Sequence, residues 1–169
     1  MTFDEELTVI AGEVIKSFGK TGMTIATAES CTGGLIGGCL TSVSGSSEVF
    51  DRGFITYSNE AKAQSLGVDP ALIEEHGAVS AQVASEMAIG AVKAANVDAA
   101  VAVTGIAGPG GGTDKKPVGL VYIAVALSEE EGAFVEDFLF ADMDRDGVRR
   151  ETVKEALEML LGYGLDDDE

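Results

Sequence analysis

The sequence predicts an α/β protein: a three-layer α/β/α fold built on a mixed, mostly parallel five-stranded sheet. Three observations carry that expectation. Segments with helical spacing alternate with short β-favouring runs along most of the 169 residues. The run Asp98–Thr104 is nearly all apolar, as a strand covered on both faces must be. Two late apolar runs flank the turn Ser128–Gly132 and read as an antiparallel hairpin.

Residues 4–18 place Leu7, Ile10, Val14, Ile15 and Phe18 at helical spacing, and Gly19 and Gly22 stop that helix. Thr24–Ala28 reads as the first strand. Gly33–Val43 follows as a helix lined by small residues, which permits close packing. Gly45-Ser46-Ser47 is a turn, and Val49–Tyr57 is the second strand. Asn59–Leu66 and Pro70–His76 read as short helices, with Asp69 capping the second and Pro70 in its first turn. Ser80 caps the alanine-rich helix Ala81–Ala95. Asp98–Thr104 is the buried strand and Gly105–Pro117 a glycine loop. Val118–Leu127 and Ala133–Phe140 form the hairpin, and Asp146–Leu161 is the last helix. We expect one domain over residues 1–165 and a mobile acidic tail over 166–169.

Composition bounds the function. Hydrophobic content of 46% excludes wholesale disorder. No uncharged apolar run reaches the ~18 residues of a membrane span. The start, MTFDEELTVIAGEVIKSFGK, is acidic where a secretory leader is basic, which suggests a cytoplasmic protein. With 29 acidic against 11 basic residues the net charge is −18, the opposite of a nucleic-acid footprint. Sparse lysine and widely spread acids fit a halophilic, high-salt cytoplasm, where a Debye length of ~3 Å at 1 M screens self-repulsion. A solvated acidic surface on an ordinary soluble protein fits as well. Cys31 and Cys39, if on one helix, lie ~12 Å apart along its axis, beyond the ~7 Å reach of a disulfide, so both should be free thiols. Two cysteines and one histidine give no zinc-type cluster, so neither metal nor cofactor is expected. The Gly- and Ala-faced helices suggest a homo-oligomer, a dimer or larger.

The chemistry centres on Thr24–Gly34, TIATAESCTGG. A strand ends, the polar corner Glu29-Ser30-Cys31-Thr32 follows, and Gly33 and Gly34 open the next helix. Backbone N–H groups without partners gather at such a corner and suit an anion or a developing oxyanion. Ser30 is the first candidate nucleophile, though a serine there also serves as a plain cap. Cys31 is a competing nucleophile if a helix N-terminus lowers its pKa, or else simply packs. Glu29 either orients a positive ligand group or caps the helix.

Tyr57 and Lys62 supply a phenol and an amine. Lys62 becomes a base if burial lowers its pKa from ~10.4, and is otherwise a solvated charge. Tyr57 fits a proton relay or a core aromatic equally. His76 reads as a helix C-terminus before Gly77, which argues against a Ser-His-Asp triad. The loop from Thr104 through Gly105 and Gly108 offers backbone N–H groups for a phosphate or oxyanion, or is a connector; it matches neither a Walker loop nor a dinucleotide fingerprint. Arg145 and Arg149, two of only four arginines, either hold a phosphate or carboxylate or pair with the aspartates around them.

Four motifs, in order, resemble the CinA C-terminal domain family, which includes stand-alone nicotinamide-nucleotide amidases. They are TAESCTGG at 27–34, RGFITYSNEAKAQSLGV at 52–68, HGAVSAQVASEMAIGA at 76–91 and TGIAGPGGGTDKKPVGLVYIA at 104–124. The resemblance covers roughly residues 5–161, and four ordered motifs make it highly specific. Nothing here resembles the molybdopterin-binding-like domain of full-length CinA proteins, so the stand-alone form is expected.

The resemblance implies hydrolysis of the carboxamide of nicotinamide mononucleotide to nicotinic acid mononucleotide and ammonia, without metal. It implies Ser30 as nucleophile, with Lys62 and Tyr57 handling protons. From the resemblance together with the reading of the residues above, we expect a substrate-binding surface from Glu29, Cys31, Thr32, Gly33 and Gly34 with Thr104, Gly105, Gly108, Arg145 and Arg149. The pyridinium suggests an acidic, aromatic-lined pocket. One stretch departs from the family pattern: Met143 stands where a glycine is common in the Gly-Asp-Arg run before the last helix, with one residue inserted. A non-catalytic nucleotide-binding regulatory domain is the alternative function.

Overall fold

The computed structural model describes residues 2–164; the acidic tail expected at 166–169 lies outside them. Six helices and five strands follow one another as α1 (Glu5–Thr21), β1 (Ile25–Glu29), α2 (Leu35–Thr41), β2 (Phe50–Ile55), α3 (Asn59–Leu66), α4 (Pro70–His76), α5 (Ala81–Ala95), β3 (Ala99–Gly105), β4 (Leu120–Leu127), β5 (Phe134–Leu139) and α6 (Arg145–Gly164). Caps set several of these ends. Asp4 accepts from Leu7 N–H and starts α1, and Gly22 in the left-handed region ends it. Ser58, Asp69 and Ser80 cap α3, α4 and α5 through their side chains.

The strands form one sheet in the order β2-β1-β3-β4-β5. β1 runs parallel to both β2 and β3, while β3–β4 and β4–β5 are antiparallel. The sheet is therefore mixed as expected, but only half of its pairings are parallel. The 106–119 segment between β3 and β4 contains no helix to carry the chain over a face, so β4 returns beside β3 in the opposite sense.

Side-chain alternation divides the core in two. Ile25, Val101, Val103, Ile123 and Val125 face the layer of α1, α2 and α6. Ala26, Ala28, Ala100, Ala102 and Ala124 face the layer of α3, α4 and α5. The alanine face lets α5 lie close against the sheet, where its own Ala84, Ala88 and Ala91 meet it.

Because β1, β2 and β3 point the same way, Glu29, Ile55 and Gly105 end at one edge of the sheet. The segments that follow them converge there, as ligand-binding loops do in open α/β sheets. Among the described residues no helix is long and apolar enough to cross a membrane.

Candidate active site

Ser30 is the first residue beyond β1 and continues the alternation onto the α3–α5 side. Its N–H donates to Val103 O at 3.1 Å, and its carbonyl accepts from Gly33 N–H at 3.1 Å. Those bonds close a turn that ends in two left-handed glycines, with φ of 58° at Gly33 and 103° at Gly34. A Cβ at Gly34 would come within 2.9 Å of the Ile55 side chain, so strain and crowding both demand glycine. The glycines therefore precede α2 rather than open it, and Cys31 sits in the turn rather than on the helix. Cys31 and Cys39 are both free and buried.

Lys62 approaches from α3. It is 1% exposed, and its Nζ lies 3.1 Å from Ser30 Oγ. It donates to Thr56 O at 2.9 Å and Tyr57 O at 3.5 Å. Among the described residues no carboxylate lies within ion-pair distance of it. Burial without a counter-charge disfavours the ammonium and lowers the pKa of Lys62. Lys62 is therefore buried, not the solvated charge that the sequence also allowed.

Cys31 follows the opposite logic. Burial, with the nearby Glu29 charge adding to it, pushes its thiol up to about 12. The lowered thiol that a nucleophilic cysteine needs is not found, because Cys31 packs as a small apolar residue.

A cleft of about 280 Å³ opens over the serine and lysine. Ser30, Cys31, Tyr57 and Lys62 line it, joined by Thr104, Gly105, Gly108 and Arg145 from the sequence-derived set. Tyr57 is 61% exposed at the rim. Arg145, the first residue of α6, donates to Tyr57 Oη at 2.9 Å and to Gly108 O at 2.7 Å, tying the phenol to the glycine loop. Thr104 Oγ1 donates to Ala78 O at 2.8 Å and so holds the segment between α4 and α5 against the cleft.

The other expected residues lie elsewhere. Glu29 turns to the opposite face of the sheet and bonds Thr32, Ile36 and Gly37. Thr32, Gly33 and Gly34 shape the turn without lining the cleft. Arg149 stands behind that turn, donating to Cys31 O at 3.1 Å and Thr32 O at 3.4 Å. Among the described residues neither Arg145 nor Arg149 pairs with a carboxylate; Arg150 instead takes Asp4, Glu6 and Glu151. Among the described residues the cleft is lined by no acid and by one aromatic, Tyr57, which corrects the acidic, aromatic-lined pocket expected for a pyridinium.

A model of the family described as the CinA C-terminal domain matches residues 7–163. The chain belongs to the CinA C-terminal domain family. Among its relatives, the nicotinamide-nucleotide amidohydrolase PncC of Escherichia coli K12 is 48% identical over 93% of this chain and 94% of that protein. A relative in Acetivibrio thermocellus is 51% identical over 162 residues; the chain spans only 38% of its length. The CinA-like protein of Geobacter sp. strain M21 is 55% identical over 85% of this chain and 34% of its own. In three dimensions, the crystal structure of the competence/damage inducible protein CihA from Agrobacterium tumefaciens superposes with a TM-score of 0.93, at 46% identity, over 96% of this chain and 98% of that one.

This CinA domain also places residues in the cleft that sequence reasoning passed over: Asn59, Ala78 and Val79. Asn59 was findable, since it precedes Lys62 by three residues on one helix and therefore shares its face. Ala78 and Val79 carry no chemical signal, and their segment is held by contacts distant in sequence, the Thr104 hydrogen bond among them.

Proposed function

We propose that the chain is a nicotinamide-nucleotide amidase, converting nicotinamide mononucleotide to nicotinic acid mononucleotide and ammonia. Ser30 is the nucleophile and Lys62 the base. The observation that carries this reading is the buried Lys62 amine, free of any acidic partner among the described residues, 3.1 Å from Ser30 Oγ. The name and near-complete coverage of the E. coli relative support the substrate.

The reaction then runs as a two-step acyl transfer. Ser30 Oγ attacks the carboxamide carbon while its proton passes to neutral Lys62 Nζ. The backbone N–H of Cys31, a residue that lines the cleft, donates to no other described residue and is suited to the developing oxyanion. Lys62 returns the proton to the departing nitrogen and ammonia leaves. The Tyr57 hydroxyl accepts from Arg145, so its own proton is free to assist that transfer. Water, deprotonated by Lys62, then attacks the Ser30 ester and releases the acid. Arg145 and the glycine loop lie where a phosphate on the same substrate can be held. A cytoplasmic reaction is part of the same proposal. A homo-oligomer is proposed with it: Ile55 and Leu139, both exposed, lie on the two edge strands, β2 and β5.

The test is ammonia release from nicotinamide mononucleotide in molar KCl, with Ser30→Ala alongside. Wild-type release, with loss of at least a hundredfold in Ser30→Ala but retained nucleotide binding, is expected. Binding without turnover in the wild type would replace the amidase with a nucleotide-binding domain.

A further inference from the structure

Glu29 is a carboxylate only 1% exposed, and among the described residues no lysine or arginine pairs with it. Its acceptor positions are instead filled by neutral donors. Oε1 takes the Thr32 hydroxyl at 2.7 Å and Ile36 N–H at 2.8 Å; Oε2 takes Gly37 N–H at 3.0 Å and the Thr27 hydroxyl at 3.3 Å. Ile36 and Gly37 lie in the first turn of α2, whose N-cap, Gly34, offers no side-chain bond. Two glycines make the space. A Cβ on Gly53 would stand 2.8 Å from Thr27 Oγ1, and one on Gly37 would press on Phe50 at 3.2 Å while meeting Thr27 and Glu29 at ordinary contact distance.

The arrangement is costly, since the buried carboxylate has no counter-charge. The left-handed Gly34 at the N-cap admits no capping side chain in its place, so the N–H groups of the first turn of α2 depend on Glu29. What the carboxylate adds is rigidity next to Ser30. It spans the turn from β1 to α2, with Ser30 as the residue directly after it. Thr32, two residues beyond the serine, is gripped from below by Glu29 and from behind by Arg149.

We propose that Glu29 is a positioning residue for the reaction: its clamp on Thr32 and α2 holds the Ser30 turn in the geometry that faces Lys62. It touches no substrate. This deepens the amidase reading and rests on it for the kinetic arm of the test alone.

The decisive variant is Glu29→Gln, nearly the same in shape but able to present an N–H₂ where two donors now point at an acceptor. Displacing a nucleophile by ~1 Å costs about a hundredfold in rate. We expect kcat to fall about ten- to a hundredfold with KM within about twofold of wild type, and Glu29→Asp to recover part of the loss. Leu160→Val, in the core far from the cleft, serves as a control for destabilisation. The second arm needs no assumed substrate: the rate at which a fluorophosphonate probe labels Ser30 should fall in parallel with kcat. If nicotinamide mononucleotide is not a substrate of the wild type, the function reading is lost and the labelling rates still decide the clamp. Wild-type kcat and labelling in Glu29→Gln would overturn the proposal. So would losses no greater than those of Leu160→Val at matched melting temperature.

Discussion

At the scale of single residues, the decisive quantity is the protonation state of Lys62. Burial lowers its pKa, so the neutral amine that can accept the Ser30 proton is available at lower pH than for a free lysine. Activity should therefore rise with pH along one limb and level off once Lys62 is neutral. Lys62→Met should lack the limb and lose about a hundredfold or more. Stability must move in the same direction. Between its folded pKa and the ~10.4 of an unfolded lysine, the unfolded chain binds a proton that the folded one does not, so folding strengthens as pH rises through that window. The melting temperature of wild type relative to Lys62→Met should grow as pH rises toward the ~10.4 of an unfolded lysine. Parallel melting curves across that range would remove the assignment. Cys31 shows the converse: the motif presented a thiol beside the serine, but its neighbourhood raises rather than lowers its pKa.

At the scale of elements, α3 must carry Lys62 to the serine, and α5 fixes where α3 lies. Gly90 on α5 faces the Leu66 carbonyl at the end of α3, and a Cβ there would run into that oxygen. Gly90→Ala should push the two helices apart at a cost of about 1–3 kcal/mol, read as a fall of several degrees in melting temperature. Leu66 lies four residues, about one turn, beyond Lys62, so activity should fall with it. An unchanged melting temperature would show that the helices yield without strain. The existence and kind of each element were legible in the sequence, because helical spacing, caps such as Ser80 and Asp69, and the apolar run at 99–105 are local signals. The start of α2 was not. Gly33 and Gly34 are held in left-handed geometry by a turn whose bonds reach β3 and α6, and no local pattern announces that.

At the scale of the whole molecule, a net charge of −18 opposes compaction, and among the described residues a few ion pairs offset it. One joins the ends of the chain: Arg150 on α6 holds Asp4 and Glu6 at the start of α1, and Lys154 adds a bond to Glu6. These exposed pairs are individually weak and screened by salt, whereas the surplus of negative charge is spread over the molecule. Screening should therefore stabilise on balance. We expect the melting temperature to climb by about 5 °C or more between dilute buffer and molar KCl, measured at constant pH. A fall with salt would mean that the α1–α6 bridges outweigh the surplus.

By itself the sequence determined the α/β class, the order of elements and the nomination of Ser30, Tyr57 and Lys62, since periodicity, capping and motif spacing are written along the chain. Only the tertiary structure decided the balance of parallel and antiparallel pairings. It alone turned Glu29 away from the cleft and Arg145 toward it, and left Lys62 buried without an acidic partner among the described residues. Those outcomes depend on which face of the sheet a side chain emerges from and on what packs against it, and distance along the chain records neither.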